Sequence, residues 1–195
     1  MMYKDLNGDG IIDYGNNRLS TMGDRTVIGN SQPRYLYNFR IGAAWKGFDF
    51  DVFFQGVGKR SIAATGNMVQ PGHTSSEANF AHTLDYWTVD NTDAFYPRPG
   101  TSYETCDRYL LNMAYLRCKT LTLGYTLPRQ ISQKIMINRL RAYVTGENLF
   151  EFDKLGKIAF DPEMNWTSTT ENDSRSFGRS YPYRRTLSFG IQVEF

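Results

Sequence analysis

The last ten residues, Thr186–Phe195, read Thr-Leu-Ser-Phe-Gly-Ile-Gln-Val-Glu-Phe and decide the fold class of the chain. Apolar and polar residues alternate along the segment without interruption. Because successive side chains of a β-strand point to opposite faces, one apolar set shares a face: Leu187, Phe189, Ile191, Val193 and Phe195. The segment therefore predicts an amphipathic strand that ends on an aromatic residue.

Four earlier segments show the same alternation. We predict strands at about 34–45, 48–56, 115–127 and 138–148, with the final strand at about 185–195. Each is long enough to cross a bilayer with a tilt, which takes about 9–11 residues. The five segments predict an all-β fold, an antiparallel meander of about five amphipathic strands.

The connections between these strands alternate in length. The first two strands are joined by the short turn Lys46-Gly47 and the next two by a compact link containing Pro128, whereas loops 57–113 and 149–183 are long. In a meander, this pattern places every short turn on one side and every long loop on the other. Outer-membrane barrels have short periplasmic turns and long extracellular loops. We therefore predict the C-terminal section of a large transmembrane β-barrel, residues 34–195, with long extracellular loops.

The composition excludes several classes of protein. The formal net charge is +2 and the charges are interspersed, so nothing indicates a nucleic-acid partner. The mean hydropathy is −0.49, and no stretch approaches the ~18 consecutive apolar residues of a transmembrane helix. Barrel strands give such a polar average because they alternate between lipid and lumen. The aromatic content of 15% fits amphipathic rings at a water–lipid boundary.

Five strands do not close a barrel, since the smallest single-chain barrels use about 8. An open set exposes two unpaired edges and an apolar face, which lipid does not tolerate. The start of the sequence also has no signal-peptide pattern. We therefore expect a fragment of a longer protein, with Met1 as an internal or truncated start. A barrel subunit completed by other chains is the physical alternative.

Residues 1–33 are predicted to be an extracellular loop that contains an EF-hand-like motif. The first five candidate Ca²⁺ ligands occupy alternating positions and the sixth follows three residues later: Asp5, Asn7, Asp9, the carbonyl of Ile11, Asp13 and Asn16. Asn16 is at the twelfth position, where an EF-hand has a bidentate Glu. The motif therefore predicts a weak site that works at extracellular calcium levels. The alternative is an Asp/Asn/Gly-rich turn without a metal.

Several short motifs, spread over nearly the whole chain, are jointly specific: Tyr3–Gly10, Asp24-Arg25, Ile28–Ser31, Pro33–Tyr35, Trp45–Asp49, Phe53–Gly58, Tyr96–Arg98, Tyr115–Lys119, Leu123–Pro128, Gly146–Phe150 and Asp161–Glu163. With these motifs the chain resembles the C-terminal end of the SusC/RagA family of TonB-dependent outer-membrane transporters. Cys118 occupies a position where the family commonly has an apolar residue.

The resemblance implies a parent barrel of about 22 strands with a plugged lumen in the bacterial outer membrane. It implies a transporter that imports glycans or peptides, has a SusD-like surface lipoprotein as a lid, and couples to TonB. The parts that couple to TonB belong to an N-terminal region and plug, neither of which is in this sequence. On this interpretation the segment contributes wall and loops.

Aromatic residues in the long loops are candidate ligand contacts, because their rings can stack on sugar faces: Trp87, Tyr96, Tyr103, Trp166 and Tyr181. The alternative, which we favour, is that these rings pack the loops against each other or against the lid protein. A peptide or an oligosaccharide remains open as the ligand.

Catalytic sites are not indicated. His73 and His82 are the only histidines, and no Cys or carboxylate cluster has the spacing of zinc ligands. No nucleophile-elbow motif is present, so we predict that the chain is not an enzyme. A soluble, secreted β-sandwich carbohydrate-binding module is the alternative function, since it also combines alternating strands with loop aromatics.

Overall fold

The computed structural model describes residues 3–16, 18–72, 79–101, 104–158, 160–163 and 181–195. These residues contain seven strands: β1 (Leu36–Trp45), β2 (Phe48–Val57), β3 (Ser61–Ala63), β4 (Leu110–Thr126), β5 (Arg139–Glu147), β6 (Glu151–Lys154) and β7 (Thr186–Glu194). One short helix, α1 (Arg129–Ser132), follows β4 and continues into a 3₁₀ turn, Gln133–Ile135. No helix in the described ranges is both long and apolar enough to cross a membrane.

The strands form a single antiparallel sheet in the order β1-β2-β4-β5-β7. Each of these five strands pairs with the next one in this order. The arrangement is a meander and confirms the predicted fold class. The short strands β3 and β6 both pair with β4. The sandwich alternative requires two packed sheets, and the described residues form one.

The end of β4 near Leu110 differs from the predicted strand boundaries. The strand begins at Leu110 rather than near 115, and the predicted loops 57–113 and 149–183 contain β3 and β6. β3 and β6 have three and four residues, too few for a periodic signal. In β4, Lys119 is an extra residue in the pairing with β2, because Phe53 pairs with Thr120 and Phe54 with Cys118. This bulge reverses the alternation, so the period-two pattern does not continue across it.

β4 is long enough to rise beyond a membrane. Its 17 residues span about 56 Å at ~3.3 Å per residue, whereas a tilted crossing takes about 9–11 residues. The lower part of β4, near Thr126, lies at the short-turn end and pairs with β2 and β5. The upper part, near Leu110, lies at the long-loop end and pairs with β3 and β6.

The two faces of the sheet differ in chemistry. One face is apolar and open, with Phe189 84%, Ile191 71% and Trp45 70% exposed. The opposite face is polar and cross-linked. Arg141 on β5 reaches across β4 to Asp49 on β2, with Nε–Oδ1 at 2.9 Å and Nη2–Oδ2 at 2.5 Å. Gly124 lies between the two side chains, and a Cβ there would collide with both. An outward apolar face with a polar inner face is the pattern of a barrel wall.

A second glycine allows close packing at the upper end of the apolar face. The Tyr37 ring on β1 lies over Gly56 on β2, and the Tyr37 hydroxyl donates a hydrogen bond to the Tyr115 carbonyl at 3.0 Å. A Cβ at Gly56 would be 2.7 Å from the ring atom Cε2 of Tyr37 and would also collide with the Tyr115 carbonyl oxygen. Gly56 therefore permits the contact between β1 and β4 across β2.

We predict that Gly56→Ala lowers the free energy of unfolding by about 1–3 kcal/mol, because the added methyl group has no space beside a backbone oxygen. Urea unfolding in detergent, followed by tryptophan fluorescence, measures the change. The matched control is Gly42→Ala, where the nearest atom to the new Cβ is an Asp51 oxygen at 3.4 Å. Equal stability of both variants and the parent protein would contradict the packing argument.

A candidate functional site at the long-loop end

The buried core of the described residues lies at the long-loop end of β4 rather than between the lower strands. Its members come from the first long loop, β3, upper β4 and the segment after β6: Ile62, Ala64, Met68, Val69, Tyr96, Tyr109, Leu111, Met113, Leu155 and Ile158. Upper β4 contributes Leu111 and Met113 from one of its faces, whereas Asn112 on its other face is exposed. We call this cluster the loop core; it packs the described part of the first long loop against β4.

Tyr96, one of the predicted ligand contacts, belongs to the loop core. Only 2% of the residue is exposed, and its ring packs against Phe95, His82 and Tyr109 at centroid distances of 4.9, 5.6 and 6.5 Å. Burial raises the pKa of Tyr96 to about 12, so the phenol is neutral at physiological pH. Its buried hydroxyl has no hydrogen-bond partner. In this arrangement the ring packs the loop, as the packing interpretation expects.

Trp87 borders a cleft of about 460 Å³ in the same loop. The residue is 36% exposed, and its backbone N–H donates to the Tyr96 carbonyl at 3.0 Å, which brings the two predicted aromatics together. The cleft is within the ~300–1,000 Å³ that ligand sites usually have. Its polar and aromatic lining includes Tyr3, Trp87, Asp93, Tyr96, Arg98 and Arg108.

The two arginines of the cleft have different surroundings. Arg108 donates from Nε to the Phe95 carbonyl at 3.0 Å and from Nη2 to the Ala94 carbonyl at 2.9 Å. The side chain of Arg98 is exposed and makes no hydrogen bond or ion pair with the described residues. Sequence reasoning named neither arginine as a ligand contact. The motif Tyr96-Pro97-Arg98 was visible, but its place in a cleft was not.

The remaining predicted aromatics are not brought into this cleft. Tyr181 is 88% exposed, just before the final strand. Tyr103 and Trp166 lie outside the described residues.

A buried ionic cluster joins the second long loop to the sheet. Arg117 on β4 is 3% exposed, and its guanidinium contacts three carboxylates: Glu151 on β6, Asp161 and Glu163. Arg117 Nη2 lies 2.6 Å from Asp161 Oδ1 and Nη1 lies 2.7 Å from Glu163 Oε2. Lys119 Nζ also contacts Glu163, at 2.7 Å. We call these five residues the Arg117 cluster.

The Arg117 cluster also holds the chain that leads into the last strand. The Tyr183 backbone N–H donates to Asp161 Oδ2 at 3.0 Å, and the Tyr183 ring lies 5.2 Å from Arg117 Cζ and 4.5 Å from Lys119 Nζ. Sequence analysis found both motifs of the cluster but not their contact. The available signal was spacing. Arg117 and Lys119, both basic, are two residues apart, and Asp161 and Glu163, both acidic, have the same spacing.

In the first half of the EF-hand-like loop, the backbone folds around the Asp5 carboxylate. Asp5 accepts hydrogen bonds from the backbone N–H groups of Gly8 at 2.6 Å and Gly10 at 2.9 Å. Gly10 has φ +81°, which suits glycine. Asn16, the predicted twelfth ligand, accepts instead from the Arg18 N–H at 3.1 Å.

Asp24, which sequence reasoning named only as part of the Asp24-Arg25 motif, stabilises this loop. Its carboxylate accepts from the Leu6 N–H at 2.6 Å and the Asp13 N–H at 2.9 Å, and these bonds lower its pKa. Within the described ranges, no group of three or more His, Cys, Asp or Glu side chains is arranged to hold a metal ion. Calcium therefore depends on the Asn7 amide oxygen and the Ile11 carbonyl as well as the aspartates, and it stays a prediction.

We predict that Arg117→Gln lowers the free energy of unfolding by about 3–5 kcal/mol, because it leaves buried carboxylates without their cation. Hydrogen exchange at residues 149–158 should accelerate together with the loss of stability in urea. The matched control is Arg40→Gln, which breaks a pair whose arginine side chain is 70% exposed and should cost no more than about 1 kcal/mol. Similar losses for both variants would contradict the role of burial.

If the calcium hypothesis is right, titration calorimetry of the protein should show Ca²⁺ uptake with a Kd of about 10⁻⁴–10⁻³ M, the range of extracellular EF-hand sites. Asp5→Asn should abolish the uptake, whereas Asp90→Asn, in another exposed turn, should leave it unchanged. No heat of binding at millimolar calcium would exclude the site.

Comparison with known proteins identifies relatives of this chain. No protein-family model matches the chain. The chain is similar to TonB-dependent receptor P3 of Formosa agariphila, with 33% identity over 190 residues, 93% of this chain and 18% of that protein. It is also 28% identical to TonB-dependent receptor P26 of the same organism over 203 residues, 99% of this chain and 19% of that protein. The chain thus spans about a fifth of the length of these curated relatives.

Solved structures have the same fold. The RagAB peptide transporter superposes with a TM-score of 0.64 at 24% identity, over 93% of this chain and 20% of that chain. The RagAB peptide importer in its closed-closed state gives 0.63 at 25% identity, over 87% of this chain and 18% of that chain. Because these relatives are receptors and transporters, the prediction that the chain is not an enzyme is confirmed. The resemblance found in the sequence is confirmed as well: the chain is a segment of a TonB-dependent receptor of the SusC/RagA type.

Proposed function

We propose that the protein to which this chain belongs is an outer-membrane transporter that imports glycans or peptides with energy delivered through TonB. The observation that carries the proposal is the two-faced sheet, with one apolar face open and the other cross-linked by Arg141 and Asp49. In water, so large an apolar face would be an aggregation liability. Against lipid it is the expected outer surface of a barrel.

The proposal gives the sheet an orientation. The short turns face the periplasm and the loop core faces the outside. Trp45, at the short-turn end, is 70% exposed, and Lys46 Nζ lies 4.7 Å from its ring. Phe48 and Tyr125 pack beside it with centroids 4.5 Å apart. Such an aromatic group with a basic neighbour is suited to a membrane–water interface.

The proposed partners follow from this orientation. A SusD-like surface lipoprotein would cover the long-loop end, where the cleft opens. TonB would act through parts of the receptor outside this segment, since the segment provides wall and loops. The RagAB structures are of a peptide transporter, which supports a peptide as the imported ligand. A glycan remains the second candidate, because Trp87 offers an exposed ring.

The proposal predicts that an antibody against the last strand and the loop before it detects, in native cells, an outer-membrane protein several times heavier than the 22.4 kDa of this chain. Deletion of the gene should abolish uptake of the imported ligand, and a TonB-deficient strain should bind that ligand without accumulating it. A 22.4 kDa band in a soluble fraction would contradict the proposal, whatever the ligand.

A further inference from the structure

We propose that the cleft bordered by Trp87 in the first long loop selects ligands by a carboxylate group, which Arg98 binds. The inference deepens the proposed import function and depends on it for its biological role. It rests on two properties of the cleft: the positive charge balance of its lining and its partly exposed aromatic wall.

The charge balance of the cleft is positive. Its lining contains two arginines, Arg98 and Arg108, against one acidic side chain, Asp93. Asp93 forms no ion pair with either arginine in the part of the chain that the structure describes. The guanidinium of Arg108 bonds to the carbonyls of Ala94 and Phe95, which do not neutralise it. An anionic ligand would supply the missing charge.

The two arginines of the cleft have different roles. Arg108 is committed to the backbone at residues 94–95, and its Cζ lies 5.4 Å from the Phe95 ring, so it positions the wall of the cleft. Arg98 is exposed and unpaired among the described residues. An arginine presents parallel N–H donors whose geometry matches both oxygens of a carboxylate. Arg98 is therefore the residue that contacts the ligand.

The remaining walls suit the body of such a ligand. Trp87 offers a partly exposed ring on which an apolar side chain or a sugar face can pack. Tyr96 lines the cleft, is 2% exposed and has a hydroxyl without a partner. That hydroxyl is enclosed by protein, so Tyr96 supports the wall of the cleft rather than bonding the ligand. The shared chemistry is a carboxylate on a compact body, which a peptide C-terminus or a uronic acid provides.

Titration calorimetry on the full-length receptor in detergent, with matched probes, tests the inference. One pair is a random tripeptide pool with free C-termini and the same pool amidated. The other pair is trigalacturonate and neutral maltotriose. We expect the acidic member of one pair to bind at least about tenfold more tightly than its neutral twin, a difference of about 1.4 kcal/mol. The pair that shows the difference identifies the source of the carboxylate.

Arg98→Gln should reduce that preference to less than about twofold, and Arg98→Lys should retain part of it because the charge remains. Arg129→Gln is the matched control, since Arg129 is an exposed arginine in α1 at the short-turn end, and it should behave like the parent receptor. Circular dichroism verifies that each variant is folded.

Three results would overturn the inference: equal affinity for acidic and neutral probes, no binding of any probe, or an unchanged preference in Arg98→Gln. Binding in detergent needs neither TonB nor a membrane. These results would therefore leave the proposed transport function intact, whereas a receptor absent from the outer membrane would refute transport without affecting the binding measurement.

Discussion

Everything described in this segment depends on hydrogen bonding to both edges of β4. On one edge β2 and β3 pair with it, and on the other edge β5 and β6 do. Unpaired backbone groups are costly both in lipid and in a buried core. A strand of 17 residues, longer than the about 9–11 residues of a tilted membrane crossing, therefore needs partners along its whole length. The short strands β3 and β6 supply them above the point where β2 and β5 end.

The Lys119 bulge divides β4 into two environments. Below it, Leu121 and Leu123 lie on the open apolar face, which suits lipid. Above it, Arg117 lies on the polar face, and covering loop residues bury it in the ionic cluster. Burying charges is unfavourable unless they are well paired, and three carboxylates with Lys119 complete the pairing here. The second long loop is consequently held against the sheet, where its residues Leu155 and Ile158 join the loop core.

The candidate site was only partly visible in the sequence. Trp87 and Tyr96 were chosen because aromatic rings bind sugars, and the structure brings both to one cleft. One of them is buried in the loop core, because residues distant in the chain, such as Met113 and Leu155, close around it. Arg98 was overlooked, because an exposed arginine in a loop has no distinguishing pattern until its surroundings are known. Asp24 was quoted as part of a motif, but its hydrogen bonds to Leu6 and Asp13 were not foreseen because they join distant positions of the chain.

The sequence by itself determined the five main strands, the alternation of apolar and polar faces along them up to the Lys119 bulge, and the alternation of short and long connections. These properties are local, since a period of two residues is set by the geometry of one strand. Only the tertiary structure decided that the first long loop has its own core, that β4 extends to Leu110, and that Arg117 meets Asp161 and Glu163. Those contacts join residues 44 and 46 positions apart, and no local periodicity encodes which distant charges a folded chain brings together.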